Sequence, residues 1–578
     1  MPGVKASLIV AVIFTSIFTS SIFAAYFLNT DFGNVNVQEV SIASEHGQVE
    51  GLLYKPRYAS SVNPQPAVVL AHGISGAKQF LSGIALELAR NGIVALTIDL
   101  LGHGGSDGKV ADGQEDPTFG MLAAVRYLEA HTFVDTQRVG LAGHSLGAGA
   151  ARATAVAHGK ISATVLIGGG FGSMVAGSAY GAINSTFPEN LLVAIGKYDV
   201  LFNLDELRRE VLPAVFGINE EVVSSTIYGS ISSGSARKLI TPATTHLFEP
   251  IDPVVTSEAV QWFVNALKPN DSNGNRQAIT NMTYTYRDLV ILVGLIALFA
   301  LVLSLSSLAL SLLHYPAKEL SAQQRPVTMS LADWKVLVLW GGLSLILFFP
   351  LVFVGFAVNI PPVIFGASIA WWTLGVAVVG LLVLMLLSRR SKRKSNIRWI
   401  ILRAFDFQGV AIALVLFVLL YALSIAAEAL LVLDLGIIAP FFRLLTPASR
   451  VSVFFMLIPF FLVHFTVEGL FLHVLRQPTP RRRGFRDNLF DLVRTIGLKV
   501  GPYSAVIILQ YFPLVLFGVQ VFPGFVAFLN EFWWLLVPIF AISTACSWWF
   551  YRITSRIGIG VVFNALVFAV IAAGLFPF

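Results

Sequence analysis

Long apolar runs dominate the second half of the chain, whereas the first half alternates shorter apolar segments with polar ones. One further long run, residues 7–28, lies near the N-terminus. Runs of about 20 apolar residues are typical of helices that cross a bilayer. The pattern predicts an N-terminal membrane helix within 1–32, a globular domain over 33–268, a polar linker over 269–287 and a membrane domain over 288–578.

The membrane domain is predicted to be all-α, because short polar loops separate eight further apolar runs of span length. The predicted spans are 288–313, 336–358, 362–388, 408–433, 451–474, 500–522, 533–551 and 558–577. An alternative interpretation of 7–28 is a signal peptide cleaved near Ala24 and Ala25. It is less favoured, because the run is longer than the apolar core of a typical signal peptide.

The globular domain shows a different pattern. A predicted hairpin over 37–55 is followed by short apolar strands that alternate with helical segments. This alternation predicts an α/β fold whose mostly parallel sheet is covered by helices on both faces. Roughly 235 residues is enough for one such domain with a sizeable core.

The most informative segment of the domain is Gly143-His144-Ser145-Leu146-Gly147, which lies between an apolar strand and an Ala-rich helix. Flanking glycines let strand and helix approach closely, and the serine oxygen is left exposed above the sheet. In this setting the motif resembles the nucleophile elbow of the α/β-hydrolase superfamily. The resemblance covers the globular domain only and implies a serine hydrolase of the esterase or lipase type.

In that superfamily the serine is followed in the chain by an acid and then by a histidine. Asp199 follows a predicted strand over 190–196, and His246 follows another over 236–242. Both lie beyond carboxyl ends of strands, where open α/β sheets place their sites. We therefore predict Ser145 as nucleophile, His246 as general base and Asp199 as the acid that orients it.

Other acids and histidines compete for these roles. Asp205 and Glu249 are alternative acids, although both are interpreted as ordinary helix or loop charges. His131 and His158 stand at predicted helix ends and are expected to be solvated. His144 belongs to the elbow and is interpreted as a packing and hydrogen-bonding residue.

The resemblance also implies an oxyanion hole made of two backbone amides. One is the amide of Leu146, and the other is that of Ile74 in His72-Gly73-Ile74-Ser75-Gly76, with Gly73 as the alternative. The segment from Asp99 to Ser106 resembles a D-x-x-G-H-G-x-S turn and is interpreted as scaffold for the pocket. No metal and no organic cofactor is implied.

Larger lipases and epoxide hydrolases carry a helical cap after the sixth strand, where this chain has a Gly/Ser-rich loop over 168–178. The extra residues lie instead at 201–234. A predicted helix over 206–216 carries apolar positions at helical spacing. A small lid or site wall and simple core packing are equally open interpretations of this helix.

Lys and Arg collect in every second loop of the membrane domain, on the same side as Lys5. The intervening loops hold only Arg443 and Arg450, and cytoplasmic loops are the ones enriched in Lys and Arg. This predicts a cytoplasmic N-terminus, with the globular domain and the C-terminus outside the cell membrane. The basic loops hold Lys318, Arg325 and Lys335; Arg389, Arg390, Lys392, Arg393, Lys394, Arg398 and Arg403; Arg476, Arg481, Arg482, Arg483, Arg486, Arg494 and Lys499; and Arg552 and Arg556.

Composition agrees with this picture, since 56% of residues are hydrophobic and only 12% are charged. Such a balance excludes a wholly soluble chain. The net charge of +6 is explained by loops that meet anionic lipid head groups. No basic face with interleaved aromatic residues is evident, so we expect no nucleic-acid partner.

Four ionisable residues lie within predicted spans, where such groups are costly and usually face a partner. They are Glu428, His464, Glu468 and His473. His464 and Glu468 are four residues apart and therefore share one helix face. A polar contact between helices is favoured over a metal or proton site.

Together these features predict a multi-pass membrane serine hydrolase that cleaves a carboxylic ester or thioester, with lipid-like substrates favoured. A serine peptidase or acyltransferase with the same triad is one alternative. A transporter or lipid-handling protein with an accessory hydrolase domain is another, and a catalytically inactive binding module is a third. The oligomeric state stays open.

The predicted orientation is testable with a membrane-impermeant thiol reagent on intact cells. Cysteines are introduced one at a time at Ser272, in the linker, and at Ser391, in a basic loop. The first is expected to be labelled and the second is not, because the charge bias places them on opposite sides of the membrane. The reverse result would overturn the orientation.

Overall fold

The computed structural model describes residues 4–170, 183–268, 282–315, 331–390, 401, 405–433, 435, 442–476 and 484–578. Nine strands of the globular domain form a single sheet with the order β1-β2-β4-β3-β5-β6-β7-β9-β8. The strands are β1 Val35–Ser44, β2 Gly47–Pro56, β3 Gln65–Ala71, β4 Val94–Ile98, β5 Val134–His144, β6 Ala163–Ile167, β7 Leu191–Ala194, β8 Ile227–Tyr228 and β9 Arg237–Ile240.

The sheet is parallel from β4 to β9 and antiparallel only at its edges. Alternate residues of β3 pack into different cores, Val69 on one face and Val68 on the other, because side chains alternate across a strand. The predicted α/β fold is confirmed. The helices that cover the sheet are Ser82–Arg90, Met121–Glu129, Leu146–His158 and Pro253–Leu267.

The insertion between β7 and β9 differs from the single helix predicted over 206–216. It contains Leu204–Glu206, a π-helical stretch Leu207–Val211 and the helix Leu212–Phe216. Leu207, Leu212 and Val215 are buried in the core beneath the sheet, which favours packing over a lid. The predicted loop over 168–178 lies outside the described residues from 171 onward.

Eight of the described helices are long and apolar enough to cross a membrane, and a ninth span arises if one bent pair is counted together. In that pair, Asp333–Ile346 and Phe348–Val358 meet at 43°, where one continuous span was predicted. The eight helices are Val4–Asn29, Thr283–Leu312, Ile364–Arg389, Phe407–Leu431, Ala448–Val474, Phe485–Phe517, Gly524–Thr554 and Gly558–Leu575.

One predicted span is part of a helix that begins much earlier in the chain. The span expected to begin at residue 500 belongs to a helix that begins at Phe485. Lys499 therefore lies inside a helix and is buried, although its charge suggested a loop. The first helix of the membrane domain also begins early, at Thr283, so the end of the predicted linker is helical.

The globular domain contacts one end of the membrane domain. The C-terminal Phe578 pairs with the backbone of Gly102 and Val110, and Gln520 donates to the carbonyl oxygen of Val200 at 2.9 Å. Segments that join spans at this end are the ones with few cations. Described cations of the basic loops pair instead within the membrane domain, as Arg476 and Arg494 do with Asp333.

Arg443 and Arg450, the two arginines of the loops that otherwise lack cations, both make buried contacts at this junction. Arg443 Nη2 donates to Asp99 Oδ2 at 3.0 Å. Arg450 Nη1 donates to the carbonyl oxygens of Ala573 at 2.7 Å and Phe576 at 2.9 Å. These cations therefore stabilise the junction between the two domains.

Asp99 is the acceptor at the centre of this junction, on the turn that was interpreted as scaffold. The backbone amides of Lys78 and Gly105 donate to its two carboxylate oxygens, at 2.7 and 2.9 Å. Burial alone would raise the pKa of Asp99, but the charges of Arg443 and Lys78 hold that pKa well below its usual range. The carboxylate is therefore ionised, although it is fully buried.

Arg443→Met is expected to destabilise the protein by about 3–5 kcal/mol, because it leaves a buried charge without its guanidinium partner. Thermal unfolding of the purified full chain measures the loss. Because the pKa of Asp99 is lower in the folded protein, the Arg443–Asp99 pair adds to the free energy of unfolding near neutral pH. This stabilisation is lost as pH falls below the ordinary aspartate range. Arg209→Met is the matched control, because Arg209 is exposed and its ion pair with Glu221 contributes little. Equal melting temperatures for the two variants would contradict the role of Arg443.

Candidate active site

Ser145 stands on a strained turn between β5 and the helix Leu146–His158. Its backbone angles are φ 52° and ψ −110°, a region that non-glycine residues rarely adopt. A Cβ atom on Gly143 would lie 2.0 Å from the carbonyl oxygen of Gly147, and one on Gly147 would lie 2.2 Å from that of Ala71. Only glycine fits at either place, so the local sequence makes this turn possible.

The side chains of Asp199 and His246 are in contact. His246 Nδ1 lies 2.8 Å from Asp199 Oδ2, and both residues are buried. The amide of Leu201 donates to the other carboxylate oxygen of Asp199 at 2.7 Å, which fixes its orientation. His246 begins a short 3₁₀ helix after β9, and Asp199 follows β7, so both lie at the carboxyl edge of the sheet.

Ser145 and His246 line one cavity, which we call the site cavity. Among the described residues, no hydrogen bond joins Ser145 Oγ to His246. In sites without substrate this bond is often long and tightens only in the reacting complex. The structure thus pairs His246 with Asp199 and brings His246 and Ser145 to one cavity; their joint action stays a prediction.

The pKa of His246 is set by opposing effects. Burial lowers it, while the charge of Asp199 and the hydrogen bond to it raise it, and the net pKa lies above the ordinary value. The Asp199 carboxylate therefore stabilises the imidazolium form of His246. This is the property that a general base needs when it accepts a proton.

Glu249 was expected to be an ordinary charge, and this expectation was wrong. It is fully buried, and its Oε1 accepts from the amide of Gly196 at 2.5 Å. Its Oε2 lies 3.9 Å from His246 Nδ1 and 3.5 Å from His144 Nε2. Burial and the nearby charge of Asp199 raise the pKa of Glu249 well above its usual range, which favours the neutral form.

His144 acts as expected for a residue of the elbow. Its Nε2 donates to the carbonyl oxygen of His246 at 3.0 Å, which helps to hold the loop that carries the base. Ligand atoms of His144, His246 and Glu249 lie within 4.8 Å of one another, close enough for a metal site in principle. Because His246 Nδ1 is bonded to Asp199, the cluster is better explained by orientation of the imidazole.

The two amides expected to form an oxyanion hole are close to Ser145. Ile74 lines the site cavity, and Leu146 follows the serine directly at the start of its helix. Within the described part of the chain, neither amide donates to a protein acceptor. Both are therefore available to a bound oxygen, and Gly73 lines the same cavity as the alternative donor.

The other competing residues lie away from this cavity. Asp205 is exposed at the start of a helical turn, where its amide is capped by Asn203. His131 hydrogen-bonds the carbonyl oxygen of Tyr127, and His158 pairs with Glu129 at 3.0 Å; both histidines are half-buried rather than fully solvated.

The family model of the alpha/beta hydrolase family matches residues 68–266. These residues are an alpha/beta hydrolase domain. The match begins within β3 and ends in the last helix of the globular domain, so it covers the strands and loops that carry Ser145, Asp199 and His246. No curated protein matches the chain.

Several solved structures are similar to part of the chain. A dienelactone hydrolase from Anabaena variabilis is 22% identical with a TM-score of 0.26, over 41% of this chain and 100% of that one. A bacterial heroin esterase is 16% identical with a TM-score of 0.30, over 41% and 85% of the two chains. An esterase from the hyperthermophilic archaeon Pyrobaculum calidifontis is 18% identical with a TM-score of 0.30, over 45% and 93%.

One wall of the site cavity comes from outside the hydrolase domain and was not predicted from the sequence. Phe528, Glu531, Phe532 and Leu535 line the cavity opposite the elbow. All four belong to the helix Gly524–Thr554 of the membrane domain, which we call the wall helix. No motif marks these residues, although Glu531 is a charged residue in a mostly apolar helix and was the one signal that could have drawn attention to it.

The wall helix also contacts the loop that carries His246. The rings of Phe248 and Trp534 pack edge to face with centroids 5.5 Å apart. Glu531 accepts a hydrogen bond from the hydroxyl of Tyr511 and lines the same cavity as His246. The position of the base is therefore coupled to the membrane domain.

Two of the four ionisable residues singled out in the predicted spans form a cluster within the membrane domain. His464 Nε2 and Glu468 Oε2 are 3.3 Å apart, and both contact Lys499, which was expected in a loop. This supports the favoured interpretation of a polar contact between helices. Glu428 accepts from the amide of Leu444 at 3.1 Å, and the ring of His473 stacks on Tyr551.

Because a general base must be neutral, the rate at which a fluorophosphonate labels Ser145 should fall as pH drops through the raised pKa of His246. Asp199→Asn should move this acidic limb to lower pH, since burial lowers the pKa of His246 once the carboxylate is gone. Asp205→Asn is the control and should leave the limb in place. An unshifted limb in Asp199→Asn would show that Asp199 does not set the pKa.

Proposed function

We propose that the chain is a membrane-integrated serine hydrolase that cleaves a carboxylic ester or thioester. The observation that carries the proposal is the strained Ser145 on the same cavity as His246, whose Nδ1 is held by Asp199. Nucleophile, base and orienting acid in this arrangement are what acyl transfer through a serine requires.

In the proposed reaction Ser145 Oγ attacks the carbonyl carbon of the ester while His246 Nε2 takes the hydroxyl proton. The carbonyl oxygen becomes negatively charged and accepts hydrogen bonds from the amides of Ile74 and Leu146. His246 then gives its proton to the leaving alcohol or thiol. Water, deprotonated by His246, attacks the acyl-enzyme and releases the carboxylic acid, which restores Ser145.

Asp199 and Glu249 have different tasks in this proposal. Asp199 is ionised in this scheme, and it holds the tautomer with a proton on Nδ1 and stabilises the imidazolium. Glu249, whose pKa is raised by burial and by the charge of Asp199, holds the loops through Gly196. The raised pKa disfavours a second negative charge beside Asp199.

The site is proposed to act on the exterior side of the membrane. The distribution of Lys and Arg supports this orientation, because the cation-poor loops contact the hydrolase domain. An ester is favoured over a peptide because the wall opposite Ser145 is largely apolar and offers few groups for a peptide backbone. No observation favours a transport function over this one.

Ser145→Ala is expected to abolish fluorophosphonate labelling and to lower ester hydrolysis by at least about a thousandfold, while the protein stays folded. Labelling in detergent and turnover of short p-nitrophenyl esters measure the two effects. Ser41→Ala, at an exposed position on β1, is the matched control. Labelling at the wild-type level in Ser145→Ala would mean that another serine is the nucleophile.

His246→Ala is expected to approach the loss seen in Ser145→Ala, because the serine proton would have no acceptor. Asp199→Asn should be severe but leave more activity, roughly 10²–10⁴-fold below wild type, because the acid only orients and stabilises. Turnover of the same esters measures both. Near-wild-type turnover in Asp199→Asn would assign the acid role to Glu249, which lies closer to His246 than Asp205 does.

A further inference from the structure

The wall helix gives the site cavity an uneven polarity. Glu531 is the polar part of the wall, where it accepts a hydrogen bond from the hydroxyl of Tyr511 on the neighbouring helix. Phe528, Phe532 and Leu535 form the rest of the wall and are apolar. An ester has the same division, with a polar reacting carbonyl and an apolar chain attached to it.

The apolar part of the wall continues along the helix beyond the site cavity. Phe528, Phe532 and Leu535 recur at intervals of four and three residues, which places them on one helix face. Ile539 and Ile542 extend this spacing and line a second cavity inside the membrane domain. From Phe528 to Ile542 the stripe is about 21 Å long at 1.5 Å per residue.

The second cavity is mostly apolar on its other sides, with Ser543 and Asn564 as its polar lining residues. Leu295 and Phe299 of the helix Thr283–Leu312 face it, together with Phe442 and Phe568. Phe442 belongs to the same loop as Arg443, which contacts the hydrolase domain. The stripe therefore leads from the cavity beside Ser145 into the part of the chain that packs within the bilayer.

We propose that this stripe, from Phe528 to Ile542, is an acyl-chain subsite that holds the long hydrocarbon chain of an ester whose carbonyl lies at Ser145. The substrate class is then a long-chain acyl ester that enters from the membrane. The inference rests on the proposed function of Ser145. A chain that comes from the bilayer is not removed from water, so selectivity for chain length would come from van der Waals contacts made along the stripe.

Three fluorophosphonates that differ only in the alkyl group on phosphorus, ethyl, octyl and hexadecyl, test the proposal on the full chain in detergent. Ser145 Oγ displaces fluoride from each, and His246 takes the proton, so the labelling rate reports access to the same atom. In the wild-type protein the hexadecyl probe should label at least a hundredfold faster than the ethyl probe.

Two substitutions probe the length of the stripe. Leu535→Trp should lower the ratio of hexadecyl to ethyl labelling rates at least tenfold. It should lower the ratio of octyl to ethyl rates too, because the indole ring would lie near Ser145. Ile542→Trp should lower the ratio of hexadecyl to ethyl rates but leave the ratio of octyl to ethyl rates unchanged. Leu509→Trp, at an exposed position on the neighbouring helix, is the matched control and should change neither ratio.

The outcomes separate this inference from the proposed function. Absence of labelling by every probe would overturn the proposed function and, with it, the subsite. Labelling at rates independent of chain length, or a ratio unchanged in Leu535→Trp, would overturn the subsite alone. Because each ratio is internal to one protein sample, partial unfolding of a variant does not imitate either result.

Discussion

The site cavity has two walls that come from distant parts of the chain, and this junction is the constraint on which the rest of the structure depends. The hydrolase domain supplies Ser145 and His246, and the wall helix supplies the surface opposite them. A site for acyl transfer works best when water is excluded around the reacting groups. In this chain the surface opposite Ser145 belongs to a helix that is long and apolar enough to cross a membrane.

The junction is held by charges that are themselves buried. Asp99 and Arg443 form an ion pair without exposure to solvent, and Arg450 satisfies carbonyl oxygens at the end of the last helix. Buried charges are tolerated only with such partners, and removal of either partner is costly. The turn after β4 therefore serves both as scaffold for the pocket and as the contact that fixes the hydrolase domain on the membrane domain.

The parts of this arrangement that follow from local patterns could be predicted from the sequence. The elbow depends on glycines beside Ser145, and Asp199 and His246 are located by the strands that precede them. The burial of Glu249 depends on a loop that closes over it, and the wall depends on contacts between segments some 300 residues apart in sequence. Neither leaves a motif. Lys499 was misplaced because a charge near the end of an apolar run suggests a loop, while its partners Glu468 and His464 lie on another helix.

The shared cavity is tested most directly by cross-linking the wall helix to the loop that carries His246. Cysteines at Phe248 and Trp534, whose rings are 5.5 Å apart, are joined by a short bifunctional thiol reagent in a chain whose only cysteine, Cys546, is replaced by serine. A protease site inserted in the linker over 269–281 then separates the two domains. We expect the cleaved halves to stay covalently linked. A cysteine pair at Phe248 and the exposed Leu509 should not link them. Complete separation of the halves in the first pair would contradict a shared cavity.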